Sequence, residues 1–524
     1  MNKYKKILLL GLVSVLAFAC TDGFEETNTN PNRTNVGEIQ ASGMFEPLLY
    51  NGAKLWLNYS WFWNNELIQF TAFTGGTTRQ EHRYFISDGN WGSVWNAYNR
   101  YGNNVSHMYD LSISQEDKSL EAIALTLKAL YMSNLTDIFG DIPYSEAYTA
   151  RKLNGTTKPK FDSQKEVYEQ MFADLNKANE IYSTNPVFIK SSLDGMYGGS
   201  MSQWRKFNNS LYLRLLNRVS GRSEMNVPAK MKEILNNPSK YPIFASNADN
   251  ATVIFSGNDP YRNQFSDTNE SSFTSSGRKL TEQLIKMTVL TDGNANQIYE
   301  DPRIAIIGKK NTNTSVNPDN VWIGTIAGVP ESDQSAADRG SSWLNTAVLA
   351  RTEAPTTYMD YAEVQFILAE AALKGHISGG EIAAKEYYEN AVKASVEKWA
   401  EFGQFSEIPV TVVESDITTF LASDLASWDN NPDKQKLIGN QKYLALFWVG
   451  MEAYHEYRRT GYPELTIGEG AIYNDKILPT RFAYPTTTMA TNSVNAQIAI
   501  DRMGGINNMK TPVWWSKQAI EAGN

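Results

Sequence analysis

The sequence predicts a mostly α-helical protein: tetratricopeptide-like helix pairs form a scaffold, and a loop-rich, irregular insertion interrupts it over about 241–351. Three observations carry that reading. Apolar residues recur at helical spacing over long stretches, those stretches carry start and stop signals, and the composition turns polar and rich in Gly, Asn and Ser from Tyr241 to Arg351.

Helical patterning begins near Ala41. Over 115–134, Leu120, Ile123, Leu127 and Leu130 make the stripe of an amphipathic helix. The stretch 162–181 repeats it with Val167, Tyr168, Met171, Leu175 and Ala178. Asp162-Ser163-Gln164 stands there at an N-cap position, with Glu166 in the first turn. Further helices are expected over 204–219, 361–373, 382–399 and 434–459, the last stopped by Gly461 with Pro463 beyond. Inside the insertion a strand is expected at 251–255 and a helix near 278–288, with long loops at 311–318 and 324–342. Paired helices of about 15–20 residues suit a tetratricopeptide-like bundle, although no clean repeat of about 34 residues is present.

Composition narrows the function. With 524 residues, 42% of them hydrophobic, the chain can bury a large core and is not disordered. A net charge of −9 with no basic block excludes a nucleic-acid partner. One cysteine and four histidines exclude disulfide scaffolds, Cys-rich zinc sites and iron–sulfur clusters. Aromatic residues reach 12%, enough to leave rings over for a binding surface.

The N-terminus reads as an address. Lys3, Lys5 and Lys6 precede an apolar run over 7–19, which as a helix rises about 20 Å, short of the roughly 30 Å needed to span a bilayer. Residues 1–19 are therefore expected to be a secretory signal peptide. The run ends in Ala17-Phe18-Ala19-Cys20, and small residues before a lone cysteine point to lipoprotein processing with Cys20 acylated, although Ala17 stands where Leu is usual. Residues 20–40 would form a lipidated tether and 41–524 a single domain. Thr21-Asp22-Gly23-Phe24-Glu25-Glu26 resembles the acidic export signal that sends Bacteroidetes-type lipoproteins to the outer face of the outer membrane.

Catalytic constellations are mostly absent: there is no H-E-x-x-H, P-loop or G-x-S-x-G. The segment 292–296 opens like a calcium loop, but Gln297 and Arg303 stand where Gly and a bidentate Glu are needed. The enzymatic alternative rests on Glu363 and Glu370, which share a helix face about 10 Å apart and approach the carboxyl spacing of an inverting glycosidase. His455 is expected in a structural cationic cluster near a helix end, and His82, His107 and His376 lack ligand spacing. Among the aromatics, Trp91, Trp95 and Tyr98 have core spacing, whereas Trp61-Phe62-Trp63 cannot all point inward from one helix. Flat rings with a polar edge stack on sugars or grip peptide side chains, which makes Trp61, Trp63, Tyr261, Phe265, Trp322 and Trp343 the candidate ligand residues. Trp322 and Trp343 are expected at the ligand mouth.

Several longer motifs carry a resemblance. These are Leu135 through Ala147 (LTDIFGDIPYSEA), Tyr197 through Arg214 with its WRKFNNSL core, Asp301-Pro302-Arg303, and Tyr361 through Ala372 (YAEVQFILAEAA). They continue with Gln441-Lys442-Tyr443, Arg458 through Pro463 (RRTGYP), Arg481 through Pro485 and Trp514-Trp515. Together they resemble the SusD/RagB family of outer-membrane lipoproteins, in its second, SusD-like subgroup, with Asn208 in place of the usual Ala. The resemblance implies four tetratricopeptide-like helix pairs supporting an irregular ligand-binding half. It also implies a non-catalytic role: capturing an oligosaccharide or peptide, oligosaccharide before peptide, for a SusC/RagA-like TonB-dependent transporter. No cofactor is implied, and although some members bind calcium, no site for it is legible. The competing readings are an α-helical glycoside hydrolase and an adhesion or scaffold lipoprotein.

Overall fold

The computed structural model describes residues 39–76, 80–188, 190–266, 277–338 and 340–523. The expected signal peptide, Cys20 and nearly all of the tether lie outside them.

Ten helices build the scaffold: α1 (Ala41–Tyr59), α2 (Asp88–Ser114), α3 (Lys118–Phe139), α4 (Gln164–Ser183), α5 (Met201–Arg218), α6 (Val227–Asn236), α7 (Tyr361–Leu373), α8 (Gly380–Ala400), α9 (Lys434–Ala445) and α10 (Glu452–Thr460). Their starts are chemically marked. Ser163 and Glu166 form a capping box on α4, and the Asp360 carboxylate accepts from the Glu363 backbone N–H at 2.9 Å. Consecutive helices pack against one another from α1 through α5, and α7 packs on α8. One hydrophobic cluster runs through them from Ala41 to Trp515. Among the described residues no helix is long and apolar enough to cross a membrane.

The structure moves three of the expected boundaries. The helix expected over 115–134 starts at Lys118, because the Asp117 side chain accepts from the Leu120 N–H at 3.0 Å and caps it there. The helix expected over 434–459 is two helices. Trp448 (φ 69°) and Gly450 (φ 56°) adopt left-handed backbone between α9 and α10. A Cβ at position 450 would fall 2.4 Å from the Trp56 ring, so glycine lets α1 approach this turn. The helix expected near 278–288 begins as a strand and turns helical only after Thr281 caps Glu282–Thr288.

The insertion is also less irregular than its composition implies. β1 (Thr71–Phe73), β3 (Arg278–Leu280), β7 (Trp343–Leu344) and β6 (Gly308–Lys309) form an antiparallel sheet in that order, with Phe73 opposite Arg278 and Trp343 opposite both Lys279 and Lys309. β2 (Ala251–Val253) pairs with β8 (Thr356–Met359), and β4 (Val289–Thr291) with β5 (Gln297–Glu300). The calcium-like segment is the turn of this last hairpin, where one Asp292 oxygen accepts from the Asn294 and Asn296 N–H groups.

Buried charges tie the scaffold together. Arg214 donates through Nε to Glu363 at 2.6 Å, Arg218 pairs with Glu452 and Asp137, and Arg459 pairs with Glu370 and Glu456. Burial raises the Asp137 carboxyl to about 6 although Arg218 offsets part of the effect. Burial alone would raise Glu456 too, but Arg459 and Lys442 pull it down to about 2.

His455 departs from the cation expected of it. It is 0% exposed, Arg458 donates to its Nδ1 at 2.6 Å, and its Nε2 lies 3.3 Å from the Asn134 side-chain oxygen. Burial and the nearby Arg218, Arg458 and Arg214 hold its pKa well below the usual value, so the ring is neutral.

Candidate functional site

The feature best suited to hold a ligand is a cleft of about 680 Å³ on the outer faces of α1 and α2, within the size range of small-molecule sites. The inward face of α1 explains how its outer face is fixed. Gly52 has no Cβ where one would lie 2.0 Å from the Tyr131 hydroxyl oxygen, and this lets two phenols reach the helix backbone. Tyr131 donates to the Leu48 carbonyl at 3.1 Å and Tyr358 to the Leu49 carbonyl at 3.0 Å. With α1 seated that closely, Asn51, Lys54, Leu55 and Asn58 line the cleft at i, i+3, i+4 and i+7. Arg100, Tyr101 and Asn104 of α2 face them, and Gln264 closes one side.

The lining joins amides, one aromatic and two cations. Tyr101 rests on Tyr131 with ring centroids 5.1 Å apart. Burial pushes its phenol up to about 12, against the charge of Arg100, so it stays a hydrogen-bond donor at neutral pH. Lys54 donates to the Pro260 carbonyl at 2.8 Å, which pins the segment carrying Tyr261 and Gln264 beside the cleft.

The aromatic residues expected to bind ligand are dispersed. Trp63, Phe265 and Trp322 are only 4%, 3% and 4% exposed, so the structure makes them packing residues rather than open stacking platforms. Trp63 packs on Phe482 at 5.5 Å, and Phe265 lies between Trp61 and Trp448. Trp322 is held because the Gln297 side chain brackets its backbone, accepting from its N–H at 2.9 Å and donating to its carbonyl at 2.6 Å. Polar loops do bury rings when a sheet lies beneath them, which the composition of the insertion does not reveal. Trp61, Tyr261 and Trp343 are half-buried. The Arg278 guanidinium covers Trp61 at 4.1 Å, Lys279 sits 4.6 Å from the Trp343 ring, and Tyr261 packs on Tyr50 at 4.4 Å. Of the six, the structure brings together Trp61 and Phe265, and it places Tyr261 near the cleft.

The glutamates behind the enzymatic alternative sit in the scaffold. Glu363 is 2% exposed in its pair with Arg214, and Glu370 is held by Arg459 and by Lys374 at 2.6 Å. Neither lines the cleft. Among the described residues no group of three or more His, Cys, Asp and Glu could hold a metal ion.

Asn51, Lys54, Asn58, Arg100, Tyr101 and Asn104 were not among the residues expected from sequence to bind ligand. A signal for part of the set was present: Asn51 and Asn58, seven residues apart, share one face of a helix whose other face is apolar.

A family model for SusD-like proteins, described as "Starch-binding associating with outer membrane", matches residues 31–485, and the chain belongs to that family. No curated protein matches it. Among solved structures it is similar to a SusD homologue from Bacteroides fragilis, at 24% identity over 91% of this chain and 100% of that one, with a TM-score of 0.75. A chitin-binding SusD homologue from Flavobacterium johnsoniae matches at 23% identity over 91% and 98% of the two chains, with a TM-score of 0.73. A SusD homologue from Parabacteroides distasonis matches at 20% identity over 91% and 98%, with a TM-score of 0.75. These likenesses establish the mostly α, SusD-like fold.

Proposed function

We propose that this chain is a non-catalytic surface lipoprotein that captures an oligosaccharide in the α1–α2 cleft and passes it to a SusC/RagA-like TonB-dependent transporter. One observation carries the reading: an open cleft walled by amides and Tyr101, in a chain of a family described as starch-binding and outer-membrane-associated. Amide side chains both donate and accept, which matches pairs of sugar hydroxyls, and a ring edge beside them covers an apolar sugar face. The chitin-binding relative favours a glycan over a peptide. Capture without turnover fits the locked state of Glu363 and Glu370.

In this reading acyl chains on Cys20 hold the protein at the outer membrane facing outward, each buried methylene contributing about 0.8 kcal/mol. Residues 41–524 act as one unit, and Tyr261 adds ring surface at the rim. The test uses soluble protein starting at Thr21, titrated by calorimetry with oligosaccharide and peptide panels and assayed for cleavage products. Saturable glycan binding without products is expected, weakened about tenfold in Tyr101→Ala and Asn58→Ala at nearly unchanged melting temperature. Products would move the assignment to a hydrolase, and binding unaffected by both substitutions would move the site elsewhere.

A further inference from the structure

We infer that the sugar taken by this cleft is acidic, bearing a carboxylate or sulfate oxyanion. The inference rests on the capture reading above and adds the chemical class of the ligand.

The charge pattern of the cleft runs against that of the chain. The protein carries a net charge of −9, yet among the described residues the charged side chains lining the cleft are Lys54 and Arg100, and no Asp or Glu lines it. Arg100 is exposed and makes no ion pair or hydrogen bond among the described residues. Lys54 gives one hydrogen to Pro260, which leaves two of its three donors available. The neighbouring carboxylates are already engaged. Glu46 stands two turns before Lys54 on α1, about 12 Å along the axis, and its carboxylate interacts with the Tyr261 phenol, raising the phenol's pKa. Asp259 pairs with Arg262 at 2.9 Å.

Two like charges facing one cleft repel, and the described lining residues supply no counter-charge. A ligand oxyanion supplies it. Arg100 suits that task because its planar guanidinium can grip two oxygens at once, and its field reaches the phenols of both Tyr59 and Tyr101. Its charge therefore sits beside the ring against which a sugar would lie. Asn51, Asn58, Asn104 and Gln264 remain for the hydroxyls. A neutral glycan would use those amides and leave both cations idle.

The test titrates the full lipid-anchored protein in detergent with oligogalacturonide, oligomannuronide and a sulfated galactan oligomer, each beside its neutral counterpart of equal length. At least one acidic member should bind about tenfold or more tightly than its neutral counterpart, and added salt should shrink the difference. Arg100→Gln should erase the preference, and Lys54→Gln should reduce it. The ranking of uronides against sulfated galactan identifies the source of the oxyanion. Equal affinity for acidic and neutral members, or a preference that survives Arg100→Gln, overturns the inference. If neutral members bind equally and Tyr101→Ala abolishes them, capture in this cleft stands and only the acidic class falls. If no member binds, both fall.

Discussion

The buried core of the scaffold and the α1–α2 cleft use cations in opposite ways. Arg214, Arg218 and Arg459 lie buried against Glu363, Glu452, Asp137, Glu370 and Glu456, with their charges met inside the fold. Lys54 and Arg100 sit at the surface with no carboxylate paired to them among the described residues. A buried cation without a partner would destabilise the protein by several kcal/mol, and the buried Arg458 and Arg481, which have no carboxylate partner among the described residues, donate to backbone carbonyls instead. An exposed cation is hydrated at little cost and stays available to an incoming ligand. The presence of a charge therefore says little about function, whereas its environment separates a fold-holding group from a ligand-holding one.

Glu363→Gln leaves Arg214 buried without its main counter-charge and should cost about 3–5 kcal/mol of stability, read as a lowered denaturation midpoint. Glycan affinity per folded molecule should stay unchanged; a lost affinity at retained stability would place Glu363 in the site instead. Trp322→Ala tests the same division within the insertion. As a packed ring it should cost about 3 kcal/mol with ligand affinity intact, whereas a stacking platform would lose affinity and little stability.

The smallest effect expected is a pH slope from His455. The native ring stays neutral, while the unfolded chain takes up a proton below about 6.5. Stability should therefore fall as pH drops through that value, by up to about 1.4 kcal/mol per pH unit. Asp137 opposes this. Its native pKa of about 6 exceeds the unfolded 3.8, so the native state takes up a proton first between those values, and that contribution is lost as pH rises through 6. Comparison of wild type with His455→Gln isolates the histidine, and equal slopes in the two proteins would mean the ring is charged when folded.

Much of the fold was legible. The stripe of Val167, Met171 and Leu175 became a buried helix face within two residues of the expected limits, because burial on one face imposes the helical period directly on the sequence, and the helix Tyr361–Leu373, buried almost all round, kept its expected limits. Asn208, where the family usually has Ala, is fully buried, and its side chain donates to the Leu175 carbonyl and accepts from Thr126. The departure is readable as a substitution, but its hydrogen-bond partners lie on α3 and α4. The site was far less legible. Composition marks Trp322 and Trp343 as rings stranded in polar loops, yet the sheet of β1, β3, β7 and β6 and the clasp of Gln297 supply the cover that local sequence lacks. Asn58 and Tyr101 are ordinary helix residues until α1 and α2 pack side by side.

Periodicity and motif are local properties of the chain, so the mostly helical class, the family and the positions of most scaffold helices are written in the residue order alone. Packing settles which rings are core, makes His455 neutral and lets the break at Trp448 and Gly450 admit Trp56. It alone joined Lys54 to Arg100 in one cleft. Burial and charge pairing depend on residues far apart in the chain, and those meet only when the helices pack.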